Sequence, residues 1–197
     1  MHQNLGPLDG PAIFIAVVPM RSQSVEVLLV PEGEKDLLRN LMQAYRHDLS
    51  EFTGEAPNEW GEFGVGNYFD VYWLEPERYP FKVLVSGEVA GFALVRELEP
   101  DVHSIAEFFI LRRHRRSGVG REAAFLLFDQ FPGSWHVAQD RHNVPAQRFW
   151  RRVIAEYSEN SFEETLSESQ PVGPQQTFMT RPDSSAAGGA RPRGRAT

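Results

Sequence analysis

The chain has 197 residues, 41% hydrophobic and 24% charged, which is enough for a globular domain with a real core. It has no cysteine, so disulfides, thiolate metal sites and a cysteine nucleophile are excluded. The formal net charge is -7, yet residues 112–121, RRHRRSGVGR, carry five arginines and no acid; basic residues spread over a face would suit nucleic acid, whereas this compact spot suits a small polyanion, or is simply a solvated arginine-rich loop.

In chain order, the apolar run AIFIAVV at 12–18 is too short to span a bilayer and has no basic segment before it. A soluble, cytoplasmic protein is expected, with no membrane partner. VEVLLV at 25–30, closed by Pro31, predicts a strand. Apolar residues at 37, 38, 41, 42, 45, 49 and 52 recur at helical spacing and predict an amphipathic helix ended near Gly54. Residues 53–70, rich in glycine and acid, predict a long loop of the kind that carries function. FKVLV (81–85), the turn at 86–88 and VAGFALV (89–95) predict a hairpin. A strand is expected at 103–111, a helix at 122–131, a short strand at 135–138 and a helix at 143–154 with Pro145 in its first turn. Two weaker strands are expected around 157–163 and 176–179. Residues 181–197 have almost no apolar bulk and are expected to be a disordered tail, leaving one domain over 1–180 with 1–20 as an N-terminal extension. The front of this order is antiparallel; its strand–helix–strand centre favours a parallel pair, giving a mixed α/β fold.

Gly118 to Ala123 match G-x-G-x-x-A between a strand and a helix, and Asp140 lies twenty residues after Gly120. That is a dinucleotide fingerprint in outline. Against it, six residues separate Leu111 from Gly118, and too little chain follows Asp140 for the further strand–helix units that fold needs. A diphosphate remains a fitting ligand. Backbone N–H groups from Arg116 to Arg121 can converge at a helix start, glycine permits close approach, and neighbouring arginines add charge-assisted bonds.

Arg115-Arg116-Ser117-Gly118-Val119-Gly120 resembles R/Q-x-x-G-x-G/A, the coenzyme A diphosphate loop of the GNAT superfamily of acyl-CoA N-acyltransferases. Asn143-Val144-Pro145-Ala146-Gln147-Arg148-Phe149-Trp150 resembles that family's N-x-x-A-x-x-F/L-Y/W stretch. The hairpin resembles its second and third strands, so the likeness covers about residues 25–155 and extends to a bacterial group of predicted acetyltransferases. The resemblance implies a GNAT-type twisted central sheet with an antiparallel N-terminal half, a parallel pair of strands and flanking helices. It implies acetyl-CoA as donor and the primary amine of a small molecule as acceptor. No metal and no nucleic acid are expected, and a homodimer is compatible with the sequence. The alternatives kept are a non-catalytic acyl-CoA-binding module and a dinucleotide-binding protein.

The resemblance also implies roles. A bulge around Phe109, Ile110 and Leu111 would expose backbone N–H groups to the thioester. Arg115, Arg116, Ser117, Gly118, Val119, Gly120 and Arg121 would hold the diphosphate. Asn143, Ala146, Phe149 and Trp150 would border the pantetheine arm, Asn143 serving also as helix N-cap. By alternation Glu107 and His103 share a face of their strand. Glu107 is either the base that deprotonates the amine or a solvent-facing strand residue; His103 is a surface or substrate contact. Where the family often has a tyrosine as general acid, this sequence has Trp150, an N–H donor but no useful acid. Tyr157 is the nearest substitute by sequence. Tyr45, Asp48 and Glu51 on the first helix, with Glu55, Glu59, Trp60 and Glu62 after it, offer acids and an aromatic surface to a cationic amine, or are the wet face of an ordinary amphipathic helix.

Overall fold

Short runs rich in branched and aromatic apolar residues build the antiparallel front of a sheet. In the computed structural model, which describes residues 24–168 and 171–181, these are β1 (Val25–Leu29), β2 (Arg78–Val85) and β3 (Glu88–Glu99). β2 and β3 are joined by a two-residue turn in which Ser86 and Gly87 both have positive φ, the twist that suits a tight hairpin. β4 (Val102–Ile110) pairs antiparallel with β3. The chain then crosses through helix α2 (Val119–Gln130) to β5 (Ser134–Ala138), which lies parallel to β4. After helix α3 (Val144–Tyr157), β6 (Phe162–Ser167) and β7 (Gly173–Met179) form a hairpin, giving the order β1-β2-β3-β4-β5-β7-β6. Helix α1 (Lys35–Thr53) precedes β2 and ends at Gly54, whose φ of 69° makes the left-handed cap.

Both faces of the sheet are covered, so its central strand reads as a continuous apolar run rather than an alternating one. From β3, Ala93 and Val95 face a core with Leu127, Phe128, Trp135 and Ile154. Phe92 and Leu94 face a second core with Leu38 and Met42 of α1 and Phe69, Tyr72 and Trp73 of the following segment. Gly91 lets β3 and β4 approach closely where β4 ends; a Cβ there would lie 2.0 Å from the carbonyl oxygen of Phe109.

The mixed sheet with one parallel pair is as the sequence implied. Some boundaries differ. α2 begins at Val119 rather than 122, because Gly118 with φ 89° starts the helix directly from the loop. The strand expected at 157–163 is a helix end and turn as far as Ser161, since Tyr157 is pinned in the core; β6 follows it. β7 begins earlier than expected, at Gly173. The apolar run at 12–18 and residues 182–197 of the expected tail lie outside the described residues.

Candidate active site

β4 and β5 are paired only over Val102–Ser104 and Ser134–His136. Beyond Ser104 they part, and β4 runs on to Ile110 with no strand paired to that edge among the described residues. The N-terminus of α2, the first half of α3 and the second half of α1 converge on the opening. They enclose a groove of about 490 Å³.

One wall is the loop. Arg115 is extended, Arg116 has φ 62° and Gly118 φ 89°, so the chain curls on the way into α2. The first N–H groups of a helix have no carbonyl within it to receive them and carry the positive end of its dipole. A Cβ on Gly118 would meet nothing within 4 Å, so the space in front of the loop is open. Arg115, Arg116, Gly118, Gly120 and Arg121 line the groove, joined by Arg112 and Arg152. Ser117 and Val119 do not face it. The Ser117 hydroxyl donates to the carbonyl of His114 at 2.7 Å, tightening the loop from behind, and the Val119 side chain is buried in the core. Only their backbone could reach a ligand.

A second wall is aromatic. Asn143 caps α3 by accepting the Ala146 N–H at 3.1 Å, and both residues line the groove. Phe149 stacks on Phe108 at 5.9 Å between ring centroids, and Trp150 meets Phe108 edge-on at 5.1 Å. Trp150 is 5% exposed, a wall of the groove rather than a free donor.

The third wall is the face of α1 carrying Tyr45, Asp48, Leu49, Glu51 and Phe52. The Tyr45 hydroxyl donates to Oε2 of Glu107 at 2.5 Å, and the Tyr68 hydroxyl donates to Oε1 at 2.6 Å. Burial and the Glu107 charge push both phenols well above the usual range, so they stay protonated as donors. Asp48 accepts from Arg112 and Arg115. Burial alone would favour its neutral form, but those two guanidinium groups outweigh it and hold the carboxyl below the ordinary value.

Several sequence expectations change here. The irregularity in β4 comes earlier than expected: Leu94 pairs with Glu107 and Val95 with Ile105, which leaves Ala106 as the extra residue. The bulge breaks the alternation, so Glu107 and His103 lie on opposite faces. His103 is 3% exposed, packed against Phe131 and Trp135 at 5.2 and 5.4 Å, and is not among the residues that line the groove. The Leu111 N–H is already given to Ala90 at 2.8 Å. The Ile110 carbonyl instead receives Nε of Arg115 at 2.6 Å, so by alternation the polar groups of Ile110 face away from β3. Phe109 and Ile110 line the groove; Leu111 does not. Tyr157, the expected substitute for the missing tyrosine, does not line the groove. It is the last residue of α3, fully buried, and donates to Asp129 at 2.6 Å among Phe125, Phe128 and Phe178. On the loop after α1, Glu55 pairs with Arg46 and Trp60 is 76% exposed; neither lines the groove.

Tyr68 and Arg112 are the partners that sequence reading missed. Tyr68 sits in a loop with no periodicity, and only its place two residues after Gly66 hints that the ring needs room: a Cβ on Gly66 would lie 2.6 Å from it. Leu49 and Phe52, read from the sequence only as apolar positions of the helix, also line the groove, beside Tyr45 and Asp48.

The sequence profile of the acetyltransferase (GNAT) family matches residues 40–154. No curated protein matches the chain by sequence. Solved structures share its fold. An acetyltransferase from Thermus thermophilus is 16% identical with a TM-score of 0.60, over 79% of this chain and 97% of that one. An aminoglycoside acetyltransferase in complex with coenzyme A is 17% identical with a TM-score of 0.55, over 79% and 95%. The PaiA N-acetyltransferase from Thermoplasma acidophilum, also in complex with coenzyme A, is 10% identical with a TM-score of 0.51, over 78% and 98%.

Proposed function

The chain belongs to the GNAT acetyltransferase family, and from that premise we propose that it transfers an acetyl group from acetyl-CoA to the primary amine of a small molecule, by direct attack on the thioester. The observation that carries this reading is the meeting, in one groove, of a cationic helix start, an exposed stretch of β4 edge and an acidic helix face. The open space before Gly118 and the curl at Arg116 and Gly118 fit a diphosphate.

Acetyl-CoA supplies an activated acyl thioester. The chain's own groups do the rest. The N–H groups at the start of α2, with Arg116 and Arg121, hold the diphosphate end. Phe108, Phe149 and Trp150 line the way inward and keep water from the reacting end. The Ile110 N–H, turned away from β3, is the group placed to polarise the acyl carbonyl oxygen. Glu107 takes the proton lost by the amine. Glu107 does not itself line the groove, but its Oε2 is bonded to Tyr45, which does, so the proton passes through that hydroxyl or an adjacent water. With Trp150 in the position of the family's tyrosine and Tyr157 outside the groove lining, the thiolate departs as the anion and takes its proton from solvent.

That replacement favours one second reading, a module of the same fold that binds acyl-CoA without turnover. Thiol release from acetyl-CoA, measured across a panel of amines covering amino acids, polyamines, amino sugars and peptide termini, separates the two. Release dependent on one amine class supports the enzyme. Binding without release across the panel supports the module. Gly118→Val supplies the control, since a side chain there is strained at φ 89° and fills the space before the loop; acetyl-CoA affinity unchanged in that variant would overturn the placement of the diphosphate.

A further inference from the structure

Asp48 belongs to one wall of the groove and is held by the other. It stands on α1, beside Tyr45 and Glu51, on the side offered to an acceptor. Its Oδ1 receives Nη2 of Arg112 at 2.6 Å and Nε at 3.1 Å, and its Oδ2 receives Nη2 of Arg115 at 2.6 Å. Arg115 also gives its Nε to the Ile110 carbonyl, so one guanidinium ties α1 to the end of β4. The Asp48 side chain is 18% exposed and that of Arg112 is 72% exposed. The acid is therefore the fixed member and the long arginine the one free to turn. An arginine offers its planar fork to phosphate oxygens as readily as to a carboxylate, and a diphosphate presents more charge than one aspartate. A half-buried carboxylate deprived of its partners needs another cation, because an unpaired buried charge is costly.

We propose that Asp48 is an exchange carboxylate: it holds Arg112 and Arg115 in the free protein, yields them to the diphosphate of the acyl donor, and is thereby released to receive a cationic acceptor amine. The proposal rests on the function proposed above and narrows the acceptor to a cation. Glu51, one helical turn further on the same wall, adds a second negative charge for it. Donor and acceptor then help each other. The donor removes the arginines from Asp48, a cationic acceptor occupies the carboxylate the arginines would otherwise reclaim, and by linkage each raises the affinity of the other. If Asp48 instead anchors the loop in its working shape, the same contact predicts the opposite response to losing the charge.

The test is calorimetric titration of the full chain with coenzyme A, for the wild type and for Asp48→Asn, with and without millimolar 1,4-diaminobutane at matched ionic strength. Asp48→Asn should bind coenzyme A about 3- to 10-fold tighter, the scale expected when partly exposed charge pairs no longer compete. Arg112→Gln added to that variant should remove the part of the gain that Arg112 carries, Arg115 keeping the rest. The diamine should tighten coenzyme A binding to the wild type about twofold or more, and leave Asp48→Asn unchanged. Weaker or equal binding by Asp48→Asn, with wild-type binding intact, overturns the exchange and leaves Asp48 an anchor. Should that variant not fold, the wild-type arm alone decides, and no effect of the diamine overturns the proposal. Failure of the wild type to bind coenzyme A at all overturns the functional reading and the exchange with it.

Discussion

Replacing Glu107 by glutamine removes a base while keeping its shape, and the structure sets what else should change. Each Glu107 oxygen now accepts one phenol, from Tyr45 at 2.5 Å and from Tyr68 at 2.6 Å. The amide keeps one accepting oxygen, so one phenol must give up its bond or turn to accept from the new NH₂. Losing one hydrogen bond to a charged group costs about 1.5–3 kcal/mol. Rearrangement recovers part of it, so urea unfolding should show a loss of roughly 1–2 kcal/mol, small enough to leave the protein folded. Coenzyme A affinity should stay within about twofold, because Glu107 is not among the residues that line the groove beside the loop proposed to receive the diphosphate. The chemical step should suffer most. General-base removal typically costs about 10²-fold or more in kcat, near 2.7 kcal/mol of barrier. The assay is thiol release with the amine identified by the acceptor panel, run at pH 7 and again near pH 9.5. The defect should shrink at the higher pH, where the free amine is already abundant. A kcat within about threefold of the wild type at pH 7 would refute the assignment and put deprotonation in solvent or on the acids of α1.

Tyr157→Phe should lower stability by about 1–2 kcal/mol in urea unfolding, from loss of the bond to Asp129, and leave thiol release within about twofold; a tenfold fall in kcat would restore Tyr157 as a catalytic group. Gly91→Ala should cost more than about 2 kcal/mol, since its Cβ would lie 2.0 Å from a backbone oxygen that cannot swing aside; an unchanged urea midpoint would contradict that. Hydrogen bonds from Arg151 hold the Glu164 carboxyl below its ordinary 4.5, and Asp48, despite its burial, is held by Arg112 and Arg115 below 3.8. Stability from such lowered groups is complete above the ordinary values and is lost as pH falls through the lowered ones. The Tm should therefore drop below about pH 4, less steeply in Asp48→Asn, and equal acid limbs in the two proteins would refute the Asp48 part.

What the sequence alone determined about this protein is local and periodic. The apolar stripe at 37, 38, 41, 42, 45, 49 and 52, the hairpin signal over 81–95, and the arginine–glycine loop against a helix start are short-range patterns, and each carries its own physical cause. The loop and the Asn143 stretch together carried the family, because a diphosphate at a helix start needs glycine, curl and charge within a few residues. Only the tertiary structure decided which distant groups meet. One extra residue at Ala106 reverses the faces of β4, parting His103 from Glu107, and no pattern in 103–111 announces it. Tyr68 reaches Glu107 across 39 residues, and Arg112 reaches Asp48 across 64; chain separation carries no information about such pairs. Tyr157 looked free to serve the site until packing turned it into the core. Hydrophobic period fixes which face of an element is buried, but bulges and side-chain pairing across elements are settled only when the faces close on one another.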